Sequence, residues 1–259
     1  LLAAGDVASC DSSGDEQTAN LLDKLPGTIA GLGDLVYDDG TAEEFADCYG
    51  PTWGRHKART RPAPGNHEYN SDGAEGYYDY FGAAAGDPSR GYYSYQLGSW
   101  HVVALNSNCG EIGGCGRTSP QGRWLAEDLA ANPTLCTLAY WHHPRFSSGP
   151  HGDYPPVAPL WDALHAAGAD VVLVGHDHLY ERFAPQAPDG TADAAGIRQF
   201  TVGTGGKALY AAERVAANSD LIIDDAFGVL ELTLEPASYR WRFVTVDGIE
   251  ADAGSADCH

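Results

Sequence analysis

The sequence predicts an α/β fold. Three observations carry that reading: four short apolar runs each break off in a polar loop, stretches of helical period lie between them, and two pairs of alternating segments look like hairpins. Residues 1–4 run into Gly5-Asp6, and residues 28–32 run into Gly33-Asp34. Residues 137–141 run into His142-His143-Pro144, and residues 171–174 into Gly175-His176. Helical period fills residues 15–25. It returns in 41–49, where Thr41 and Glu44 have the spacing of a capping box, in 119–131 with Pro120 at the first position, and in 157–167. These are read as crossover helices. Residues 92–96 and 100–105, joined by Leu97-Gly98-Ser99, form one expected hairpin, and 228–234 with 239–246 the other, which makes a sheet edge antiparallel. Residues 184–196 are rich in Pro, Ala, Gly and Asp without periodicity, the mark of a surface loop. No repeat or boundary divides the chain, so 1–259 is read as one catalytic domain.

Composition narrows the function. Hydrophobic residues make up 43% and charged residues 20%, which suits a folded core and excludes a disordered or fibrous chain. No apolar run approaches the roughly 18 residues that span a bilayer, so no membrane span is expected. Fifteen Lys and Arg against 36 Asp and Glu leave a net charge of −21, a field that repels phosphate backbones and excludes nucleic-acid binding by a basic patch. The six cysteines form no CxxC pair of the kind that holds structural zinc, so disulfides are expected. Of fifteen possible connectivities, Cys109 with Cys115 and Cys10 with Cys48 are favoured. The acidic surface and the cysteines suggest an exported protein. The chain has no Met and opens on Leu-Leu-Ala-Ala-Gly-Asp, so it is read as a secreted chain from which a signal peptide has been removed.

The polar loops carry the chemistry. In order they read Gly5-Asp6-Val7-Ala8, Gly33-Asp34-Leu35-Val36-Tyr37, Gly65-Asn66-His67-Glu68, Trp141-His142-His143-Pro144 and Gly175-His176-Asp177-His178. Each turn alone is weak, since a lone His more often serves packing. Together they offer carboxylate, phenolate, amide-oxygen and imidazole donors without a thiolate, which suits Fe, Zn or Mn. Seven donors are too many for one ion. They fit two ions about 3.5 Å apart with a shared carboxylate, the arrangement of phosphoryl hydrolysis. A small residue before each Asp is expected to let the strand end turn sharply. His176 and His178, two residues apart on extended backbone, are expected to face the same side, with Asp177 pointing elsewhere.

These five blocks resemble the calcineurin-like metallophosphoesterases, and within them the purple acid phosphatases, whose Tyr three residues after the second Asp is matched by Tyr37. The resemblance implies an αββα four-layer sandwich of two mixed β-sheets flanked by helices, with a dinuclear metal site at the strand C-terminal ends. It implies that one metal takes Asp6, Tyr37 and His178, the other Asn66, His142 and His176, and that Asp34 bridges them. Two metal ions are then the cofactors: Fe(III) at the Tyr37 site, giving visible colour, and Fe, Zn or Mn at the second. His67 is expected to contact the phosphoryl group, with Glu68 as its orienting partner. His151, nine residues past His142, resembles a substrate-contacting His that would act as general acid. The chain departs from many relatives in carrying Glu68 where they have Asp.

The activity so implied is hydrolysis of phosphate monoesters of a small phosphorylated substrate by a hydroxide on the metals. A phosphodiesterase is the alternative, and an inactive binding protein a third reading. Weighed beside these, His143 reads as packing next to a ligand, and His56, His101, His165 and His259 as structural or solvated. Residues 201–207 lack phosphate-loop spacing and read as a turn at a strand end. The aromatic pairs Tyr77-Tyr78, Tyr80-Phe81 and Tyr92-Tyr93 read as hairpin packing before a substrate rim.

Overall fold

The computed structural model describes residues 1–259. Every apolar run of the sequence is a strand, and the strands gather into two mixed sheets. In chain order the first sheet holds β1 (Leu2–Ala4), β2 (Ile29–Leu32) and β3 (Thr60–Ala63), all parallel, and then the antiparallel β11 (Gly228–Leu234), β12 (Ser238–Thr245) and β13 (Glu250–Asp257). Their spatial order is β13-β12-β11-β1-β2-β3. The second sheet holds β4 (Tyr93–Leu97), β5 (Trp100–Ala104), β6 (Thr137–Tyr140), β7 (Val171–Val174), β8 (Tyr180–Phe183), β9 (Arg198–Val202) and β10 (Ser219–Ile223), in the order β10-β8-β9-β7-β6-β5-β4. Strands β5, β6, β7 and β9 are parallel, while β4, β8 and β10 pair antiparallel with their neighbours.

Successive side chains of a strand point to opposite faces, and here that alternation divides the core. Leu138 and Tyr140 of β6, Val171 and Leu173 of β7, and Val102 and Ala104 of β5 join a buried cluster with Leu2, Ile29 and Val229 of the first sheet. Their neighbours Ala139, Val172, Val174 and Val103 face the other way, onto Leu125, Leu160, Trp161 and Leu164. Those last residues belong to two helices that cover the outer face. The helices are α1 (Gly14–Leu22), α2 (Ala42–Glu44), α3 (Glu75–Phe81), α4 (Pro120–Ala131) and α5 (Ala158–Ala166). Tyr140 Oη crosses between the sheets to donate to the Arg61 carbonyl at 2.9 Å. This is the sandwich of two mixed sheets flanked by helices that the sequence resemblance implies.

Local signals set the helix starts. Thr41 Oγ1 accepts from the Glu44 amide at 3.1 Å and Glu44 Oε2 accepts from the Thr41 amide at 2.8 Å, the expected capping box. Ser119 Oγ caps α4 through the Gly122 amide at 3.0 Å, with Pro120 at the first position. After α2 the chain widens into a π-helical turn over Phe45–Tyr49. The aromatic pairs at 77–81 form no hairpin: they lie on α3, where Tyr77 and Phe81 pack against Phe45 and Tyr49 in the core. The helical spacing of Tyr77, Tyr78 and Phe81 explains that outcome. Both favoured cysteine pairs are bonded, Cys10–Cys48 and Cys109–Cys115, and a third bond, Cys136–Cys258, ties the start of β6 to the end of β13.

Candidate metal centre

Each polar loop leaves the C-terminal end of a strand: Asp6 after β1, Asp34 after β2, Asn66 after β3, His142 after β6 and His176 after β7. Backbone bonds stitch these exits together. The Asp6 amide donates to the Gly33 carbonyl at 3.1 Å, the Gly175 amide to the His142 carbonyl at 2.9 Å, and the Gly205 amide, just past β9, to the Gly5 carbonyl at 2.9 Å. The residues at 201–207 thus do form a turn at a strand end, and that turn buttresses Asp6.

The sharp turning falls on the polar residues themselves. Asp6, Asp34 and His176 adopt left-handed φ values of 60°, 48° and 71°, conformations that cost a non-glycine residue about 1 kcal/mol or more and that concentrate at functional sites. Among the glycines before them only Gly33 shares this region, at φ 81°. Gly65 and Gly175 are needed for close approach: a Cβ would lie 2.1 Å from Asp34 Oδ1 at the first and 2.7 Å from Asp6 Oδ2 at the second. The expectation that glycine does the turning is therefore corrected. So is the picture of His176 and His178 on extended backbone, since β7 ends at Val174 and a bend carries both. They reach neighbouring positions through the turn.

Two groups of donor atoms face each other across one carboxylate. Tyr37 Oη lies 2.9 Å from Asp6 Oδ1, 3.1 Å from Asp34 Oδ2 and 3.2 Å from His178 Nε2. His142 Nε2 lies 3.2 Å from Asp34 Oδ2, 3.2 Å from Asn66 Oδ1 and 3.1 Å from His176 Nδ1. Asp34 Oδ2 belongs to both groups. All seven residues named from the sequence are thus brought together, and Asp6, Asp34, His142 and His178 are buried.

This donor set fits cations. His142 Nδ1 donates to the Leu32 carbonyl at 2.8 Å, which aims Nε2 at a carboxylate and an amide oxygen, where a bound cation would take the place of its proton. Lone pairs converge there with no Lys or Arg among them. Burial opposes protonation of His142, yet the Asp34 carboxylate lifts its imidazole to about 9, so the pocket attracts positive charge. Burial, then Asp34 and Asp6, push the Tyr37 phenol well above its ordinary value; only a cation at its oxygen would draw that proton off. Oxygen and nitrogen donors without sulfur suit a hard or borderline metal.

Glu68 holds this arrangement from behind, and its role differs from expectation. Its carboxylate does not touch His67. It is fully buried and accepts from the backbone amides of Asp34 at 2.9 Å, Leu35 at 2.6 Å and Gly65 at 2.6 Å, clamping the β2 exit to the Asn66 turn. His67 is oriented instead through Nδ1, 2.6 Å from the Asp38 carbonyl. An unmatched buried donor costs about 1–3 kcal/mol. Glu68→Ala strands these three amides and that of Val36, a fourth donor at 3.4 Å, and is expected to lower stability by about 3 kcal/mol, read as a fall in the urea midpoint with an unchanged slope. An unchanged midpoint would show that Glu68 does not clamp the two turns.

The two remaining candidates flank the donors. His67 Nε2 stands 3.9 Å from Asp34 Oδ2, and the side chain is 31% exposed. His151 lies with its ring centroid 4.3 Å from that of His176. His143 is buried with Nδ1 2.8 Å from Ser107 Oγ and its ring stacked on Tyr154, the packing role expected of it. His56, His101, His165 and His259 pair with Asp23, Asp128, Asp193 and Asp170 away from the donors. Three residues were not assigned to the site from the sequence. Tyr210 stacks on His178 with centroids 4.1 Å apart. Lys207 Nζ sits 4.9 Å over the Tyr37 ring and 3.1 Å from Asp38 Oδ1. Asn108 Nδ2 donates to the Pro64 and Gly65 carbonyls at 3.2 Å, bracing the Asn66 turn. Each acts from a loop distant in sequence, where spacing is uninformative.

The family model described as calcineurin-like phosphoesterase matches residues 1–180. Purple acid phosphatase 18 of Arabidopsis thaliana is 31% identical over 129 residues, covering 47% of this chain and 28% of that protein. Purple acid phosphatase 15 of the same plant is 26% identical over 226 residues, 73% of this chain and 41% of its own length. The chain thus spans well under half the length of these curated relatives. The structure of purple acid phosphatase PPD1 from yellow lupin (Lupinus luteus) seeds superposes with a TM-score of 0.76 at 17% identity, covering 99% of this chain and 53% of that one. That likeness is one of fold.

Proposed function

The chain belongs to the calcineurin-like phosphoesterase family, in its purple acid phosphatase-like branch, and from that premise we propose that residues 1–259 form one catalytic domain that hydrolyses phosphate monoesters with two metal ions. The observation that carries the reading is the position of Asp34 Oδ2, within 3.2 Å of both donor groups. Asp6, Tyr37 and His178 would hold one ion, Asn66, His142 and His176 the other, and Asp34 both. The phenol of Tyr37 favours Fe(III) on its side, with Fe, Zn or Mn opposite. When bound, two such ions activate water and neutralise charge on phosphoryl oxygens.

The protein's own groups do the rest. Buried Asp6 and Asp34 keep their oxygens turned inward because the backbone amides of His176 and His67 donate to their other oxygens, both at 2.8 Å. His67, its Nδ1 proton given to the Asp38 carbonyl, presents Nε2 at the exposed edge of the donors. There it hydrogen-bonds a phosphoryl oxygen as negative charge builds. His151, on the opposite flank, protonates the leaving oxygen.

Metal-replete protein given a nitrophenyl monoester and the bis-nitrophenyl diester tests the substrate class. Faster turnover of the monoester is expected, and a strong diester preference would replace this reading with a phosphodiesterase. Fewer than two ions per chain with no phosphate release would instead leave a binding protein. Export is supported by the three disulfides, and no helix is long and apolar enough to cross a membrane.

Charge sets a further expectation. A net charge of −21 repels an anionic substrate at long range. Screening shortens that range from about 30 Å at 0.01 M salt to about 8 Å at 0.15 M, so kcat/KM for a phosphate monoester is expected to rise about two- to threefold over that interval. A rate that falls with salt would show that local cations such as Lys207, and not the overall field, govern encounter.

A further inference from the structure

We propose that Asp177, between the two histidines of the 175–178 turn, is a positioning residue that fixes the tautomer and aim of His151. The inference rests on the phosphatase reading above and assigns a residue that reading leaves unused. Asp177 is fully buried, and no lysine or arginine pairs with it. Its carboxylate serves one loop. Oδ2 accepts from the Ser147 hydroxyl, while Oδ1 accepts from the His151 amide at 3.0 Å and stands 2.9 Å from His151 Nδ1. Ser147 Oγ in turn accepts from the Gly149 amide at 3.0 Å. Position 149 must be glycine for this, because a Cβ there would lie 2.3 Å from Asp177 Cγ.

A buried carboxylate is costly unless its oxygens are matched, and here every match lies within residues 147–151. The geometry is that of an orienting carboxylate behind a catalytic imidazole. With Nδ1–H held by Asp177, the opposite ring corner, Nε2, makes no hydrogen bond within the protein. The side chain is 43% exposed and its ring lies against that of His176, beside the second donor group. Because Asp177 shares its turn with His176 and His178, the proton donor and two metal donors are registered by a single backbone segment.

The step served is the departure of the leaving group. A water oxygen forms the new bond to phosphorus and gives one proton to solvent. The bond from phosphorus to the ester oxygen breaks with its electron pair left on that oxygen, which takes the proton from His151 Nε2 and departs as the alcohol. Solvent then returns a proton to His151.

Asp177→Asn keeps the size and the acceptor oxygen but removes the charge that holds Nδ1–H. Phenyl phosphate needs its leaving oxygen protonated, whereas dinitrophenyl phosphate does not. In the variant with two metals retained, kcat for the phenyl ester is expected to fall about a hundredfold and for the dinitrophenyl ester less than about threefold. His151→Ala should show the same split, and the double variant should be no slower than either single one. Equal losses on both esters would mean that Asp177 only folds the loop, and no loss on the phenyl ester would remove it from the reaction; either result overturns the proposal. Nitrogen-15 NMR of the His151 ring in the unmutated, zinc-loaded protein should find a proton on Nδ1 hydrogen-bonded to Asp177, and a bare Nδ1 would overturn the proposal even if the variant fails to fold. Should the unmutated protein hydrolyse neither ester, the phosphatase reading itself falls.

Discussion

Asp34→Asn is expected to cost the protein both metal ions and to lower kcat/KM by about a thousandfold or more. The magnitude follows from the several kcal/mol of transition-state charge stabilisation that bound metal supplies, at about 1.4 kcal/mol per tenfold in rate. The change is chemically small. Asparagine tolerates the left-handed φ of 48° at this position better than most residues, and Oδ1 can still accept from the His67 amide, so the backbone should hold. What changes is Oδ2, the one oxygen within 3.2 Å of both Tyr37 Oη and His142 Nε2. An amide nitrogen there offers hydrogens where both donor groups require an anionic acceptor. Elemental analysis should find fewer than two ions per chain, and any charge-transfer colour should be lost with them. A variant that kept two ions and its turnover would show that the shared oxygen is not a bridge.

Four of the donors were legible in the sequence for a simple reason: each closely follows an apolar run, so strand and ligand are read as one local pattern. Asp6, Asp34, His142 and His176 all stand two residues past the end of β1, β2, β6 or β7. What was not legible acts across the chain. Glu68 binds amides some thirty residues away, at Asp34 and Leu35, and its neighbour His67 turns to the Asp38 carbonyl instead. Adjacency in sequence suggested a pair that the fold does not make. Strands were missed chiefly at sheet edges, where burial imposes no alternation. Edge strand β3 contains Pro62, β10 is partly exposed along most of its length, and β13 is built of small and acidic residues. The alternating runs of β11 and β12 could be read because one side of each meets the core at Val229, Tyr239, Trp241 and Phe243.

His67→Ala should separate binding of metal from use of it. The imidazole is 31% exposed, and its nitrogen is 3.9 Å from Asp34 Oδ2, beyond the 3.2 Å contacts that define the two donor groups. What the residue gives Asp34 comes from its backbone, through the amide that donates to Oδ1 at 2.8 Å. Alanine retains that amide and is at home in the helical conformation, φ −66° and ψ −32°, found at this position. Truncation should therefore leave Asp34 anchored and both ions bound, and the freed Asp38 carbonyl lies where water can reach it. In the proposed reaction the loss is a hydrogen bond to a phosphoryl oxygen that strengthens as charge develops, an effect that would fall on kcat more than on KM. A decrease in kcat of about a hundred- to a thousandfold is expected, with two ions per chain and an unchanged visible spectrum. Near-normal turnover would take His67 out of the chemistry. Loss of an ion would instead place its side chain among the groups that hold the metals, and the division between binding and catalysis drawn at this edge of the site would have to move.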